Sequence, residues 1–461
     1  MGEIKRRTFI GNSLAATAGL TFTAGSWSRI LGANDEIRVA VVGFHGQGQS
    51  HISELGKIAG VRLVGLCDVD KDVLDAEAKK LQDRNQPVEK YADVRRLLEN
   101  KNIDAVTTAT PNHWHSLLTI WACQADKDVY VEKPVSHEVW EGRKMVETAR
   151  KYNRIVQTGT QGRSNVALKE ALEWVRGGQL GKIKVSRGLC YKRRKSIGKV
   201  GGPQPIPASI DYDLWCGPAP KVPLMRQQLH YDWHWVWPTG SGDLGNQGIH
   251  QMDIARWALG KAELSPRVFS IGGRFGYVDD GETPNTQIVV HDYGDVMLIF
   301  EVRGLSQEAG SETMDKYRSQ SVGNIVECEN GYLSGTSAFD KEGKEIKKFT
   351  GSGESHMANF IRAVRSRKSS DLNADILEGH LSSALCHTGN ISYRLGKLAS
   401  PGECLEAIKA DKDAVESLDR FKAHLAANKI DLEETKATLG AFRKWMARPS
   451  GSRTMRRRTK C

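Results

Sequence analysis

The stretch IRVAVVGF, residues 37–44, decides the fold, because a short β-branched run ends there in a glycine. Residues 46–58 suit a helix, so a strand, a turn and a helix follow one another. Such a turn lets the backbone approach a pyrophosphate, and the helix N-terminus supplies amide donors. The candidate contacts are Gly43, His45, Gly46, Gln47 and Gly48. Against the pattern GxGxxG, His45 replaces the middle glycine, and a plain tight turn is the alternative.

Four further segments repeat the strand signal. VRLVGLCDVD (61–70) precedes a predicted helix over 71–82, and IDAVTTATP (103–111) is the expected third strand. DVYVEKP (128–134) and RIVQTGT (154–160) flank a predicted helix over 137–152. Apolar strands that alternate with helices predict a parallel, doubly wound sheet, here a Rossmann-type α/β domain over residues 36–160.

The pattern changes in the second part of the chain, where strands alternate with glycine-rich turns. These strands are IKVSRGLCY (183–191), PRVFSIGGRF (266–275), TQIVVHDYG (286–294), DVMLIFEVRG (295–304) and IVECENGYLSG (325–335). They predict an α+β domain over residues 161–395 with a large, mainly antiparallel open sheet. The irregular stretch from 192 to 242 is long enough to indicate a functional loop. Residues 396–461 are expected to form a helical extension and a basic tail.

The N-terminal 33 residues are typical of a twin-arginine export signal. Arg6 and Arg7 precede a weakly apolar, small-residue run from 11 to 27, which is too interrupted for a membrane span. We therefore expect export of the folded protein to the periplasm and no membrane partner after signal removal. A basic helix start is the alternative.

Charge and cysteine content exclude two classes of site. Much of the net charge of +11 lies in the two termini, and no nucleic-acid-binding motif is present, so no nucleic-acid partner is expected. The eight cysteines are dispersed without a CxxC pair or a cysteine–histidine array. We therefore predict neither a metal site nor a disulfide.

Asp68 ends the second predicted strand, twenty residues after Gly48. A carboxylate at this place accepts hydrogen bonds from a ribose diol, which favours NAD over NADP. A helix-capping aspartate is the alternative.

Two loops that follow neighbouring strands are expected to meet at the reactive end of the dinucleotide. Lys133, before a proline, is placed to exchange a proton with a substrate hydroxyl, although a surface lysine in a turn would look the same. The other candidate cofactor contacts of these loops and of the segment 159–163 are Thr110, Pro111, Asn112, His115, Glu132 and Gln161.

Asn246 and His250 are four residues apart, which predicts one face of a helix opened by the glycine-rich turn at 240–245. A neutral imidazole there can accept the proton of an alcohol, and the amide can orient it. Asp253 is an alternative partner for His250, although a pair with Arg256 is equally compatible with the spacing. A core histidine that contacts the backbone is the other interpretation of His250.

Substrate contacts are predicted from aromatic and basic residues. Trp233, Trp235 and Trp237 alternate with Asp232 and His234 just before the glycine-rich turn, and flat aromatic faces suit sugar rings, although they also pack long loops. Trp235 and Trp237 are the candidate contacts. Arg163 is a candidate contact because it follows Gln161 in a turn. The basic run 192–195 is more typical of a solvated face than of an anion site.

Together these motifs resemble the Gfo/Idh/MocA family, named for glucose-fructose oxidoreductase, inositol dehydrogenase and a rhizopine catabolism protein. The resemblance rests on the glycine turn, ATPNHWH (109–115), EKP (132–134), GTQGR (159–163) and GDLGNQGIHQMD (242–253). It implies that Lys133 is the catalytic lysine and His250 the catalytic histidine. The family pattern usually has an aspartate where this chain has Asn246, which departs from a full Lys/Asp/His triad.

The resemblance implies an NAD(P)-dependent oxidoreductase that acts on a secondary hydroxyl or ketone of a sugar, glycoside or cyclitol. In the periplasm the cofactor, NAD rather than NADP, is expected to stay bound. Two alternatives remain: an NAD-assisted glycoside hydrolase or lyase that oxidises a ring hydroxyl transiently, and a non-catalytic sugar-binding relative. The family also implies a homo-oligomer, formed through the exposed face of the open sheet.

Overall fold

Two sheets organise residues 36–444, which are the residues that the computed structural model describes. The predicted export signal at 1–33 and the basic end of the tail lie outside the described residues. Within 36–444, no helix combines the length and the apolar character that a membrane span requires. All seven cysteines in this range are free and buried.

The first sheet has six parallel strands in the order β3-β2-β1-β4-β5-β6, which confirms the doubly wound fold. The strands are β1 (Ile37–Val42), β2 (Val61–Cys67), β3 (Glu89–Tyr91), β4 (Ala105–Thr108), β5 (Asp128–Val131) and β6 (Val156–Thr158). The strand at Ala105–Thr108 is therefore the fourth in the chain and not the third. The sequence analysis missed β3 because this three-residue edge strand, Glu-Lys-Tyr, carries no apolar run.

Helices cover both faces of this sheet. They are α1 (Gln47–Leu55), α2 (Lys71–Asp83), α3 (Val94–Glu99), α4 (Asn112–Gln124) and α5 (Val139–Lys151). Two helices begin at aspartates whose side chains accept backbone N–H groups, Asp70 for α2 and Asp93 for α3. Leu118 and Met145 pack in one core cluster, while Val39 and Phe360 pack in the other.

Eleven strands form the second sheet, in which the β7–β10 pair is parallel and the other pairs are antiparallel. They are β7 (Ile183–Tyr191), β8 (Arg267–Gly273), β9 (Thr286–Asp292), β10 (Met297–Arg303), β11 (Val322–Cys328), β12 (Gly331–Ser334), β13 (Ser337–Phe339), β14 (Glu345–Lys348), β15 (Lys397–Ala399), β16 (Ala437–Leu439) and β17 (Arg443–Lys444). The mainly antiparallel sheet is confirmed. The stretch 325–335 is a hairpin of β11 and β12 and not one strand.

The remaining helices join the two sheets or cover the second one. They are α6 (Val166–Arg176), α7 (Tyr212–Cys216), α8 (Gly242–Gly245), α9 (Gly248–Leu259), α10 (His356–Ser366), α11 (Ile376–Arg394), α12 (Pro401–Ile408) and α13 (Lys412–Ala427), with short 3-10 helices at Gln161–Ser164, Asp232–Trp235 and Ser369–Asp371. Helix α10 packs into the core of the parallel sheet, although its sequence lies within the predicted second domain.

Helices α12 and α13 pack on the outer face of the second sheet, while β15, β16 and β17 of the same segment belong to that sheet, so the segment predicted as a helical extension is not helical throughout. Leu418 and Phe421 of α13 are buried against Phe269 and Ile288 of the sheet. The Phe421 ring meets the edge of Phe275 at a centroid distance of 6.0 Å. The extension therefore stabilises the sheet by burying apolar surface.

Replacing Phe421 by alanine should lower the free energy of unfolding by about 3–5 kcal/mol, because a fully buried ring leaves a cavity. Phe442 is 56% exposed, so Phe442→Ala is the matched control and should cost about 1 kcal/mol or less. Chemical denaturation followed by circular dichroism measures both values. A loss of unfolding free energy for Phe421→Ala as small as that for Phe442→Ala would mean that α13 contributes little to the stability of the sheet.

Candidate active site

One large cavity, of about 520 Å³, opens at the carboxyl ends of the parallel strands. Twelve of the predicted site residues line it, from the segments that follow β1, β2, β4 and β5 and from the break between α8 and α9. They are Gly43, His45, Gly46, Gln47, Asp68, Thr110, Pro111, Asn112, His115, Glu132, Lys133 and Asn246. Ligands of doubly wound folds bind at this edge, where the strand order reverses.

The glycine turn after β1 is shaped by two close approaches. Gly43 has φ +73°, and a Cβ there would lie 2.9 Å from the backbone nitrogen of Thr110, which follows β4. A Cβ on Gly48 would lie 2.2 Å from the carbonyl oxygen of Gly43. Gly43 therefore permits the left-handed turn and Gly48 permits close packing of α1 on the strand. Gly48 itself does not line the cavity.

Asp68 lines the cavity after β2, as predicted. Its carboxylate accepts hydrogen bonds from the backbone nitrogens of Phe44, at 3.1 Å, and Asp70, at 3.0 Å. Burial raises the pKa of Asp68, and these two hydrogen bonds oppose that rise. The carboxylate is thus fixed beside the glycine turn, and the helix-capping role belongs to Asp70 instead.

The long segment 192–242, called the crossing segment below, runs from the second sheet to the first and forms a wall of the cavity. The backbone nitrogen of Lys71 donates to the Ser209 carbonyl at 2.8 Å, and that of Asp211 donates to the Val69 carbonyl at 3.2 Å. The indole nitrogen of Trp114 donates to the Leu214 carbonyl at 3.0 Å. These bonds hold the segment against the loops that follow β2 and β4.

His45 also helps to hold the crossing segment against the parallel sheet. Its ring stacks on that of His230, with a centroid distance of 4.1 Å and an interplanar angle of 12°. His230 Nε2 also lies 3.2 Å from a carboxylate oxygen of Asp70. The residue that replaces the usual middle glycine is therefore a contact between the glycine turn and the crossing segment, which the sequence analysis did not predict.

Glu132 is the most connected buried group of the site. One carboxylate oxygen lies 3.2 Å from His51 Nε2 and 3.2 Å from Gln161 Nε2. The other accepts the backbone nitrogen of Lys133 at 3.2 Å. Burial alone would raise the pKa of Glu132, but the hydrogen bond from His51 and the charge of Lys133 lower it to about 2. Glu132 is therefore an anion at neutral pH, and Gln161 positions it without lining the cavity.

Lys133 lines the cavity, with 19% of its side chain exposed and Nζ 3.9 Å from Glu132. The peptide bond between Lys133 and Pro134 is cis. The ring nitrogens of His115 lie 2.7 Å from the Pro134 carbonyl and 2.8 Å from the Thr110 carbonyl. His115 thus ties the loop after β4 to the loop after β5.

Asn246 and His250 are arranged differently from the prediction of one helical face. Asn246 lies in the break between α8 and α9 and lines the cavity, while His250 lies inside α9 and does not line the cavity. Burial, followed by the charge of Lys133, lowers the pKa of His250 to about 4. The imidazole is therefore neutral at pH 7. Among residues 36–444, no hydrogen bond joins the Asn246 side chain to His250.

Asp253 does not take the place of the missing aspartate. Its two oxygens accept from Arg163 Nε at 2.8 Å and Nη2 at 2.9 Å, and Ser382 Oγ donates to it at 2.7 Å. Arg256 lies 3.8 Å away, a weaker contact than the bidentate one to Arg163. The main ion pair of Asp253 is therefore with Arg163, 90 residues away in sequence, and the pair with Arg256 that the spacing suggested is secondary.

Three predicted substrate contacts lie elsewhere. Arg163 is buried in the pair with Asp253 and stacks over Trp257, so it is a structural residue. Trp235 is buried under Arg194, and Trp237 packs beside Tyr393 and Arg394. None of these three lines the cavity; Trp233 does, with its ring stacked on His234 at 3.6 Å.

Besides Trp233, the crossing segment supplies six lining residues that the sequence analysis did not select. They are Leu214, Trp215, Gln228, His230, Tyr231 and His234. The length of the segment was the available signal, but side-chain directions in irregular backbone follow no period. Within the described part of the chain no group of three or more metal-ligating side chains occurs.

Two family models match the chain. The oxidoreductase-family NAD-binding Rossmann model, GFO_IDH_MocA, matches residues 37–160, and the model of that family's C-terminal alpha/beta domain matches residues 172–422. The second match spans more than half of the sequence. The chain belongs to the Gfo/Idh/MocA oxidoreductase family. The resemblance inferred from EKP and the glycine turn is confirmed, and the chain is an NAD(P)-dependent oxidoreductase.

Curated relatives include an inositol dehydrogenase and a hydrolase. The chain is 31% identical over 289 residues to myo-inositol 2-dehydrogenase of Thermotoga maritima, which covers 58% of this chain and 74% of that protein. It is 28% identical over 209 residues to a glycosyl hydrolase family 109 protein of Shewanella putrefaciens, which covers 40% of this chain and 45% of that protein. The chain thus spans less than half of that hydrolase.

Solved structures of the family share the fold. The WlbA dehydrogenase from Bordetella pertussis in complex with NADH and UDP-GlcNAcA has a TM-score of 0.59 at 19% identity, covering 78% of this chain and 97% of that one. Apo scyllo-inositol dehydrogenase from Lactobacillus casei has a TM-score of 0.51 at 18% identity, covering 77% and 96%. At these identities the likeness shows the fold.

Gly48→Ala should destabilise the protein by about 1–3 kcal/mol, since its Cβ meets the Gly43 carbonyl and the turn has to shift. Gly46→Ala is the control, because a Cβ there has no atom within 4 Å. Thermal unfolding of the nucleotide-free protein compares the two variants. A Gly48→Ala protein as stable as Gly46→Ala would show that the turn tolerates a side chain on α1.

Proposed function

We propose that the protein transfers a hydride between NAD and a secondary hydroxyl or ketone of a sugar, glycoside or cyclitol. The observation that carries the proposal is that Lys133 and Asn246 line the same cavity as the glycine turn and Asp68. A proton-handling group and a dinucleotide cradle thus share one cleft. The inositol dehydrogenase among the relatives supports a polyol substrate.

The residues present fit a dinucleotide. A Cβ on Gly43 would collide with Thr110, and α1 begins at the cavity with no side-chain cap among the described residues. Gly46 and Gln47 line that end of the cavity. When bound, the dinucleotide supplies the hydride acceptor or donor. The protein's contribution is to hold the substrate and move its proton.

The charges around Asp68 favour NAD over NADP. Asp68 and Asp93 both line the cavity, and Asp70 lies directly behind them. Arg95, the nearest arginine to Asp93, is already paired with it at 2.7 Å. A 2′-phosphate placed here would face carboxylates and no free arginine among the described residues, which would repel it.

Proton transfer is assigned to Lys133 and His250. The Lys133 ammonium donates a hydrogen bond to the reacting oxygen, and the neutral imidazole of His250 accepts the proton during oxidation. Asn246 hydrogen-bonds the substrate or orients the imidazole. Because an amide carries no charge, it does not raise the pKa of His250 as an aspartate at this position would.

Export and cofactor retention complete the proposal. Arg6 and Arg7, in the twin-arginine segment, support transport of a folded protein to the periplasm. Retention is supported by the crossing segment, because His230 and Trp215 cover the nucleotide side of the cavity. A nucleotide held in this way would be recycled by a second substrate or by an external electron acceptor.

Lys133→Met should reduce turnover of the best polyol substrate by at least about 100-fold, because the reacting oxygen loses its proton partner. The measurement is nicotinamide absorbance after mixing purified, NAD-loaded protein with a panel of sugars and cyclitols. Lys144→Met is the control, since Lys144 pairs with Glu147 on the surface of α5. Nucleotide released on denaturation is identified by mass.

Three outcomes separate the alternatives. Protein that neither contains nor binds a nicotinamide dinucleotide would overturn the proposal. Release of aglycone from nitrophenyl glycosides without net NADH would favour the hydrolase mechanism, which the family 109 relatives support. Unchanged turnover in Lys133→Met would relocate the catalytic group.

The pH dependence should carry the signature of His250. Its proton-accepting form is lost as pH falls through its pKa, so kcat/KM for oxidation should decline on the acid side near pH 4. Asn246→Asp places an anion nearby and should move this decline upward toward the ordinary histidine value of about 6.5. Circular dichroism at each pH checks that the protein remains folded. A wild-type decline near 6.5 would contradict the assignment.

A further inference from the structure

The basic run 192–195 is divided by the structure into paired and unpaired cations. Arg193 forms an ion pair with Glu312, and Arg194 forms a bidentate pair with Asp243 at 2.7 and 2.8 Å. Lys192 has no carboxylate partner among the described residues; its Nζ donates to the amide oxygen of Gln247 at 2.9 Å. The run is therefore not one uniform solvated face.

Strand alternation explains the position of Lys192. Alternate residues of β7 face α9: Ser186 Oγ donates to the Ala255 carbonyl at 3.0 Å, and Cys190 packs with Ile249. Side chains two residues apart share a face of a strand, so Lys192, next in this series, faces the start of α9. Its backbone nitrogen is held by the Arg303 carbonyl at 3.0 Å.

Lys192 is thereby held next to the active site, although neither Lys192 nor Gln247 lines the cavity itself. Gln247, its partner, directly follows the cavity-lining Asn246 and precedes His250 by three residues. The charge of Lys192 also contributes to the low pKa of His250, after burial and Lys133. Two cations, one on each sheet, therefore act on the same imidazole.

No carboxylate of the described residues neutralises the ammonium group of Lys192. The anions nearest to His250 are Glu132 and Asp253, and both are already bound. Glu132 accepts from His51 and Gln161, and Asp253 accepts from Arg163. An ammonium group beside a substrate cleft, held by a neutral amide, is left with the capacity to bind an anion.

We propose that Lys192 binds a negatively charged substituent of the substrate, so that the preferred substrates are sugars or cyclitols that carry a carboxylate or a phosphate. The inference rests on the proposed function, because it places the substrate between Lys133 and Asn246. Gln247 acts as a positioning residue that holds the ammonium group in the absence of substrate. Lys192 is thus the specificity-determining residue of the second domain.

The test compares matched neutral and anionic ligands. Binding to the NADH-loaded protein is measured by calorimetry for glucose, glucuronate and glucose 6-phosphate, and for inositol and inositol monophosphate. At least one anionic ligand should bind about tenfold more tightly than its neutral partner, as expected for one charge-assisted hydrogen bond. The glucuronate and phosphate arms show which anion is preferred. This preference should weaken at high salt.

Variants assign the preference to one side chain. Lys192→Ala should reduce the ratio of neutral to anionic dissociation constants by about tenfold, and Lys192→Arg should retain most of it. Lys195→Ala is the matched control, since Lys195 is an exposed lysine of the same run without a carboxylate partner in the described residues. It should leave the ratio unchanged.

The outcomes also separate this inference from the proposed function. Equal binding of every neutral and anionic pair, or a preference that survives in Lys192→Ala, would overturn the role of Lys192. Failure to bind NADH would overturn the proposed function. In that case the same ligand pairs, titrated into the nucleotide-free protein, still decide whether Lys192 binds an anion.

Discussion

The active site depends on keeping one carboxylate, that of Glu132, ionised in the protein interior. Desolvation alone would favour the protonated acid. Hydrogen-bond donors at 3.2 Å from His51 and Gln161 offset that cost, and the pKa is held at about 2. The resulting anion accepts a hydrogen bond from the backbone N–H of Lys133 and attracts its ammonium group. The Glu132 carboxylate also accounts for the glycine at position 159, because a Cβ there would lie 2.7 Å from one of its oxygens.

The two sheets supply different parts of the site. The parallel sheet gathers its loops at one edge because its strands run in one direction, so Gly43 and Thr110 come into contact at the switch point. Lys192 follows β7 of the second sheet at the start of the crossing segment, and Asn246 follows the end of that segment, in the break between α8 and α9. That segment is held by backbone hydrogen bonds to Lys71 and Val69, so the closure of the cavity does not depend on a side-chain pair alone.

Helices and strands were predictable from sequence where the pattern of apolar residues continues over the whole element. The bounds of β7 were predicted without error, because nine residues carry a continuous signal. Trp235 and Trp237 were the predicted contacts, whereas Trp233 lines the cavity, because residues 232–235 form a 3-10 helix in which alternate side chains do not share a face. The role of Arg163 was wrong for another reason. Its partner Asp253 lies 90 residues away, and no local pattern reveals such a pair.

The outer face of the second sheet limits how a homo-oligomer can form. In this chain α12 and α13 cover the apolar part of that face, and Arg187 on β7 donates to Glu416 and Ser417 of α13, each at 2.7 Å. Arg187 is fully buried, so removing these partners would leave its charge with only the more distant carboxylates of Glu301, at 3.8 Å, and Glu327, at 3.5 Å, on the sheet. Another copy of the chain cannot bind the part of this face under α12 and α13 without displacing these helices. The homo-oligomer stays a prediction, and a contact through this face would have to use the part that the two helices leave open.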